Sequence, residues 1–160
     1  MRLASGSHQR IETFLRDHFQ NENFNLPPIV VHSGRCADWM TRTFNLLAIT
    51  FGRRIFVAPG QIERDPDGRL TVPAPLLAHE ATHVFQYQQA GLLRFLVSYS
   101  REYAKGLKVQ RSIGKTARRS AYLSVKYERE AYEAEYAYLD WTPPRLHLTP
   151  RQGPTAAQRD

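Results

Sequence analysis

The sequence predicts a small α+β domain, with short strands and a hairpin near its N-terminus and a mostly helical second half. Three observations predict it. Apolar residues recur at helical spacing in five separate stretches. Short runs rich in β-branched residues occur three times, all between Ile29 and Ala58. The 160 residues, 42% hydrophobic and 23% charged, have the size and balance of one packed domain rather than of a disordered chain.

Taken in order, Ser7 to Asn21 reads as a first helix, because Ile11, Phe14, Leu15 and Phe19 share a face and turn residues follow up to Pro28. Ile29 to Val31 reads as a strand after Pro27-Pro28. Cys36 to Leu47 reads as a second amphipathic helix with Met40, Phe44 and Leu47 on one side. Ala48–Phe51 and Ile55–Ala58 read as a hairpin, with Gly52 where a type II′ turn needs a positive φ. Pro59 to Pro75 reads as a loop with a turn at Asp65–Gly68. A third helix runs from about Pro75 to Gly91, which fits a helix stop. A fourth covers Leu92 to Gly106, and the basic stretch Leu107–Arg119 with Gly114 reads as a loop or frayed helix. The last helix starts between Ala121 and Glu128 and ends before Pro143-Pro144. One domain is expected over residues 1–142, and a flexible tail over 143–160.

Composition removes several classes of protein. A lone cysteine, Cys36, excludes a disulfide framework within the chain. No apolar run approaches the roughly 20 residues that a membrane-spanning helix requires. The first ten residues lack the apolar segment of a secretory signal, so the default expectation is a cytoplasmic protein. Export by a machine that reads no cleavable signal is compatible with the same sequence. The net charge is +7, and it is not spread evenly. Arg94 to Arg129 holds ten basic and two acidic residues, so the rest of the chain is close to neutral.

The residues that carry chemistry are His79-Glu80-Ala81-Thr82-His83, an H-E-x-x-H pattern. On a helix, His79 and His83 lie one above the other and can share one Zn²⁺. Glu80, one residue after the first histidine, is placed to act as general base on a water at the metal. A catalytic zinc needs a third protein ligand. The one later histidine, His147, falls in the expected tail, so an acidic residue of the last helix is the better source. Tyr127, Ala131, Ala134 and Tyr138 form the apolar stripe of that helix. Glu128 flanks the stripe, Glu130 is a second candidate and Glu135 a weaker third. Glu133 shares a face with Lys126 and Arg129 and is expected in solvent.

Several blocks in fixed order resemble a known family. They are Val31-His32-Ser33-Gly34, Ala48-Ile49-Thr50-Phe51-Gly52, Ile55-Phe56-Val57-Ala58-Pro59-Gly60, and Leu76-Leu77-Ala78-His79-Glu80-Ala81-Thr82-His83-Val84-Phe85-Gln86. Together they resemble the eCIS core domain, a metallopeptidase-like domain that accompanies bacterial extracellular contractile injection systems. The likeness covers about Ile29 to Gln89. Downstream, Glu128-Arg129-Glu130-Ala131 is similar to the E-x-x-A signature on the glutamate helix of gluzincin-type zinc peptidases. These resemblances imply a zincin-like core with Zn²⁺ on His79, His83 and Glu128, and Glu80 as general base in peptide hydrolysis. Tyr132 stands where such peptidases often carry Asp or Asn to support a histidine ligand. Tyr99, Tyr103 and Tyr132 are candidate donors to the oxyanion. Arg54–Ala58 is a candidate edge for an extended peptide.

A protein or peptide substrate is therefore expected, and the Arg94–Arg129 segment is a candidate dock for an acidic partner or a secretion apparatus. Two other functions fit the sequence. One is a non-catalytic zinc-binding structural or cargo protein of a contractile injection system. The other is a DNA-associated protease of the SprT type. It is disfavoured by the acidic third ligand and by the absence of any nucleic-acid signature around the basic segment.

Overall fold

In the computed structural model, residues 3, 5–64, 70–111 and 113–142 are described. The first helix, α1 (Ser5–His18), buries Ile11, Phe14 and Leu15. The strand β1 (Val30–His32) follows, then α2 (Arg35–Phe44), β2 (Ala48–Phe51) and β3 (Arg54–Val57). Gly52 has φ 60, so β2 and β3 close through a two-residue turn that a side chain would strain. The sheet order is β1-β3-β2, with β1 parallel and β2 antiparallel to β3. Residues Arg54–Val57 are thus paired on both sides, Ile55 opposing Val31 and Thr50. The segment expected to offer an edge is the centre of the sheet, and the edges are β1 and β2.

The second helix also departs from expectation. Asn45 adopts a left-handed conformation and stops α2 at Phe44. Its buried face is Ala37 and Thr41, while Phe44 and Leu47 are exposed. Thr41 can be buried because its hydroxyl donates to the Ala37 carbonyl at 2.8 Å. Within the expected loop the chain forms a 3₁₀ turn (Pro59–Gln61) and a small antiparallel ribbon, β4 (Glu63–Arg64) with β5 (Leu70–Thr71). The turn expected at Asp65–Gly68 lies outside the described residues.

The helical half begins with α3 (Ala74–Ala90), which has proline in its first turn and ends at Gly91 (φ 75). Gly91 also starts α4 (Leu92–Gln110), so the two helices meet with no linking loop. Next come α5 (Lys115–Ser124) and α6 (Lys126–Asp140), separated by the single extended residue Val125. The α6 N-terminus is capped from outside itself: the Lys126 backbone N–H donates to Glu102 of α4 at 2.7 Å.

Leu107–Arg119, expected as a loop or a frayed helix, is therefore mostly helix, divided between the end of α4 and the start of α5. Gly106 is a packing residue inside α4. A Cβ there would stand 2.6 Å from Ser124 Oγ and 2.9 Å from Ala121 Cα, so only glycine lets α5 approach so closely. Its low helix propensity, which suggested a stop, is overridden by that contact.

The core joins α1, the sheet, α3 and α6. Phe14 and Leu15 of α1, Val31, Ile55 and Val57 of the sheet, and Leu77, Ala81 and Val84 of α3 form one buried cluster with Ala134 and Tyr138 of α6. Each large aliphatic side chain in it contributes roughly 1.5–3 kcal/mol of burial. Alanines at 78, 81, 131 and 134 are fully buried and let α3 and α6 lie close together. Among the described residues no helix is long and apolar enough to cross a membrane.

Candidate metal centre

The close approach of α3 and α6 sets the site. His79 and His83 project from α3 and Glu128 from the first turn of α6, and all three are buried. Their ligand atoms lie within 4.8 Å of one another. His79 Nε2 is 3.6 Å from Glu128 Oε2, and His83 Nε2 is 3.6 Å from Glu128 Oε1. These separations exceed a hydrogen bond and suit three ligands around a shared ion. Glu128 Oε2 is buried and has no hydrogen-bond partner, which is costly unless something cationic meets it.

Each histidine is held by its other nitrogen. His79 Nδ1 lies 3.0 Å from Glu135 Oε2. A carboxylate can only accept, so Nδ1 carries a proton, and the ring, once its Nε2 proton is displaced, offers that nitrogen's lone pair to the cluster. His83 Nδ1 lies 2.8 Å from Gln86 Oε1. The orientation of that amide is fixed by its other end: Gln86 Nε2 donates to the Tyr127 carbonyl at 3.1 Å and to Glu130 Oε2 at 3.0 Å. The Gln86 oxygen therefore faces the ring, and His83 takes the same tautomer as His79.

Glu80 is buried beside the cluster. Thr50, on the edge strand β2, donates to Glu80 Oε2 at 2.6 Å. This ties the strand edge to the proposed base and leaves Oε1 for another partner. Tyr99 of α4 donates to Glu128 Oε1 at 2.9 Å, and Tyr122 of α5 interacts with the same carboxylate. Burial and the Glu128 charge push both phenols well above their usual range, so they remain donors.

Burial disfavours a charge on Glu128, yet the histidines and Tyr122 outweigh it and hold its carboxyl well below the usual range. Burial likewise opposes a charge on His79, but Glu128, Glu135 and Glu80 prevail and raise it to about 9 without metal. A site with this much negative potential attracts a cation.

The blocks that resembled a family can now be set against the matched region. A family model described as the eCIS core domain matches residues 7–91, more than half of the chain. The chain belongs to the eCIS core domain family. No curated protein and no solved structure matches it.

In this eCIS core domain the match ends at Gly91, so it contains His79, Glu80, His83 and Gln86 but not Glu128. Of the three candidate acidic ligands, the structure brings Glu128 into the cluster. Glu130, the second choice, instead accepts from Gln86 and pairs with Lys126 at 3.5 Å. It therefore acts on His83 through an intermediary. Glu135, the third, orients His79 from one turn further along α6 than the position where Asp or Asn was expected. Tyr132, which occupies that position, places its ring edge-on to His79 at 4.7 Å between centroids.

Among the tyrosines named as oxyanion donors, Tyr99 is committed to Glu128. Tyr103 makes no hydrogen bond to the cluster among the described residues, and Tyr132 touches a histidine ring. The sequence reading missed Tyr122, which lies where the last helix was expected to begin, because no local spacing shows that α5 turns this residue toward Glu128. It missed Thr50 as a functional residue, although Thr50 lies in one of the family blocks. Nothing in helical spacing links a strand threonine to a glutamate thirty residues later.

Proposed function

We propose that this domain is a zinc-dependent peptidase whose metal is held by His79, His83 and Glu128. The observation that carries the reading is the buried Glu128 carboxylate, with Oε2 lacking a hydrogen-bond partner, set beside two imidazole nitrogens whose opposite nitrogens are both fixed. Two imidazoles and one carboxylate with a place left open are the donor set of catalytic zinc. Zinc bound there would supply an acidified water and a Lewis acid for an amide carbonyl.

The chain supplies the rest. Glu80 takes the proton as general base, and Thr50 keeps its carboxylate turned toward the cluster. The β2 edge runs beside Glu80, and an extended peptide adds to it as a further strand, its scissile bond crossing the cluster. Tyr132, beside His79, is the remaining candidate to stabilise the oxyanion.

The deciding experiment compares Glu80→Gln with wild type on an unfolded protein substrate, with metal content measured on both. The expected outcome is full metal occupancy and a rate lowered about 10²–10⁴-fold. Unchanged cleavage would remove Glu80 as the base. Full zinc without cleavage of any substrate by wild type would favour the second reading, a structural or cargo protein of an injection system. The observation favouring that alternative is the enclosure of the cluster, whose three ligands and Glu80 are all buried.

A further inference from the structure

We propose that the α4–α5 hairpin docks this protein, tip first, on an anionic lipid surface. The tip is where α4 ends and α5 begins, and Arg111, which closes α4, takes a left-handed conformation with φ 49. Val109, in the last turn of α4, and Ile113, two residues before α5, are 72% and 73% exposed. Two aliphatic side chains so exposed at the end of a helical pair bury no useful area within the chain.

Their surroundings define the partner. Lys105, Lys108, Arg111, Lys115, Arg118 and Arg119 are all exposed, and no acidic residue lies between Tyr103 and Val125. The tip is also preorganised. Arg118 Nε donates to the Ile113 carbonyl at 3.0 Å, and the Gly106 contact holds the two helices together beneath it.

Charge alone would suit any polyanion, and the aliphatic pair separates lipid from nucleic acid. A phosphate backbone rewards the cations but leaves Val109 and Ile113 in water. No aromatic residue lies between Tyr103 and Tyr122 to stack on a base. A bilayer surface accepts both features, the cations among the headgroups and the aliphatics at the acyl boundary. Tyr99 sits ten residues before Val109 on one helix, so the docked tip holds the metal centre roughly 15 Å further out.

The test is flotation of the full, metal-replete chain with phosphatidylcholine vesicles, with and without phosphatidylglycerol. Binding is expected only to the anionic vesicles, and it should disappear at high salt. The neutral double variant Val109→Ser/Ile113→Ser should bind roughly tenfold more weakly. Lys108→Ser and Arg111→Ser should each cost roughly fivefold. All four positions are exposed, and unchanged circular dichroism and metal content confirm that the variants fold. Absence of binding to anionic vesicles at low salt overturns the proposal. So does binding that is indifferent to the aliphatic pair, or tighter binding to duplex DNA that is lost in the basic variants alone.

Discussion

The wall of the metal centre built by α3 and β2 holds two histidines, Glu80 and Thr50 within the matched residues 7–91. The wall built by α4, α5 and α6 holds Glu128 and most of what orients the cluster, namely Glu130, Glu135, Tyr99 and Tyr122, all outside the match. The histidines and Glu80 of the first wall are local in sequence, since one helical turn places both imidazoles, and only Thr50 comes from a distance. The second is assembled from three helices and depends entirely on packing. The matched region therefore supplies both histidines and Glu80, and the second half of the chain supplies Glu128 and most of the contacts that orient the cluster.

The sharpest way to break this comparison is to remove one ligand from each wall. His83→Ala and Glu128→Ala should both lower metal affinity by more than about 100-fold, measured by competition with a chromogenic chelator. A Glu128→Ala protein that binds as well as wild type would mean that the second wall is not part of the centre.

The orienting residues come next. Glu135→Gln and Gln86→Ala should each weaken metal binding by about 10–100-fold. Glu130→Gln should do less, because Gln86 keeps its bond to the Tyr127 carbonyl. Equal losses in all three would contradict the chain of contacts through Gln86.

A pH series on chelator-treated protein separates the walls by charge. His79 is raised from 6.5 to about 9, so its pairing with the carboxylates of α6 stabilises the metal-free fold fully below pH 6.5. That contribution, roughly 3 kcal/mol at most, is lost as pH rises through 9. The denaturant midpoint should fall across that window. Metal affinity should rise across it, because the ion and the proton compete for the same Nε2. At the acid end Glu128, held low, contributes stability that is present above pH 4.5 and lost on further acidification.

The smallest expected effect tests the packing of the second wall. Gly106→Ala should cost roughly 1–3 kcal/mol, because the new methyl meets Ala121 and Ser124. Metal binding should weaken only as far as Tyr99 and Tyr122 shift. A variant as stable as wild type would mean that α4 and α5 separate easily.

These differences also explain what the sequence could reveal. His79, Glu80 and His83 were legible because their geometry follows from helical spacing alone. Glu128 was legible in part, since it flanks an apolar stripe that had to face something. Glu130 and Glu135 were legible as candidates but not in their roles, because which carboxylate reaches the ion depends on the offset of α6 against α3. The α+β order was readable from periodicity. Features that were not include the exposed Phe44 and Leu47, and the helix through Gly106. In both cases a neighbouring element, absent from any local window, decides which face is buried.

The division between the walls has a consequence for how the protein is made. A ribosome delivers α3 well before α6, and at ordinary synthesis rates the interval between His83 and Glu128 lasts roughly 2–9 s. During that time the growing chain carries two histidines whose orienting carboxylate is not yet present. An ion bound then would lack its third ligand. Glu128 and Glu135 join the histidines only when α6 docks against α3. A tightly held metal would thus certify that the last described helix has been translated and packed.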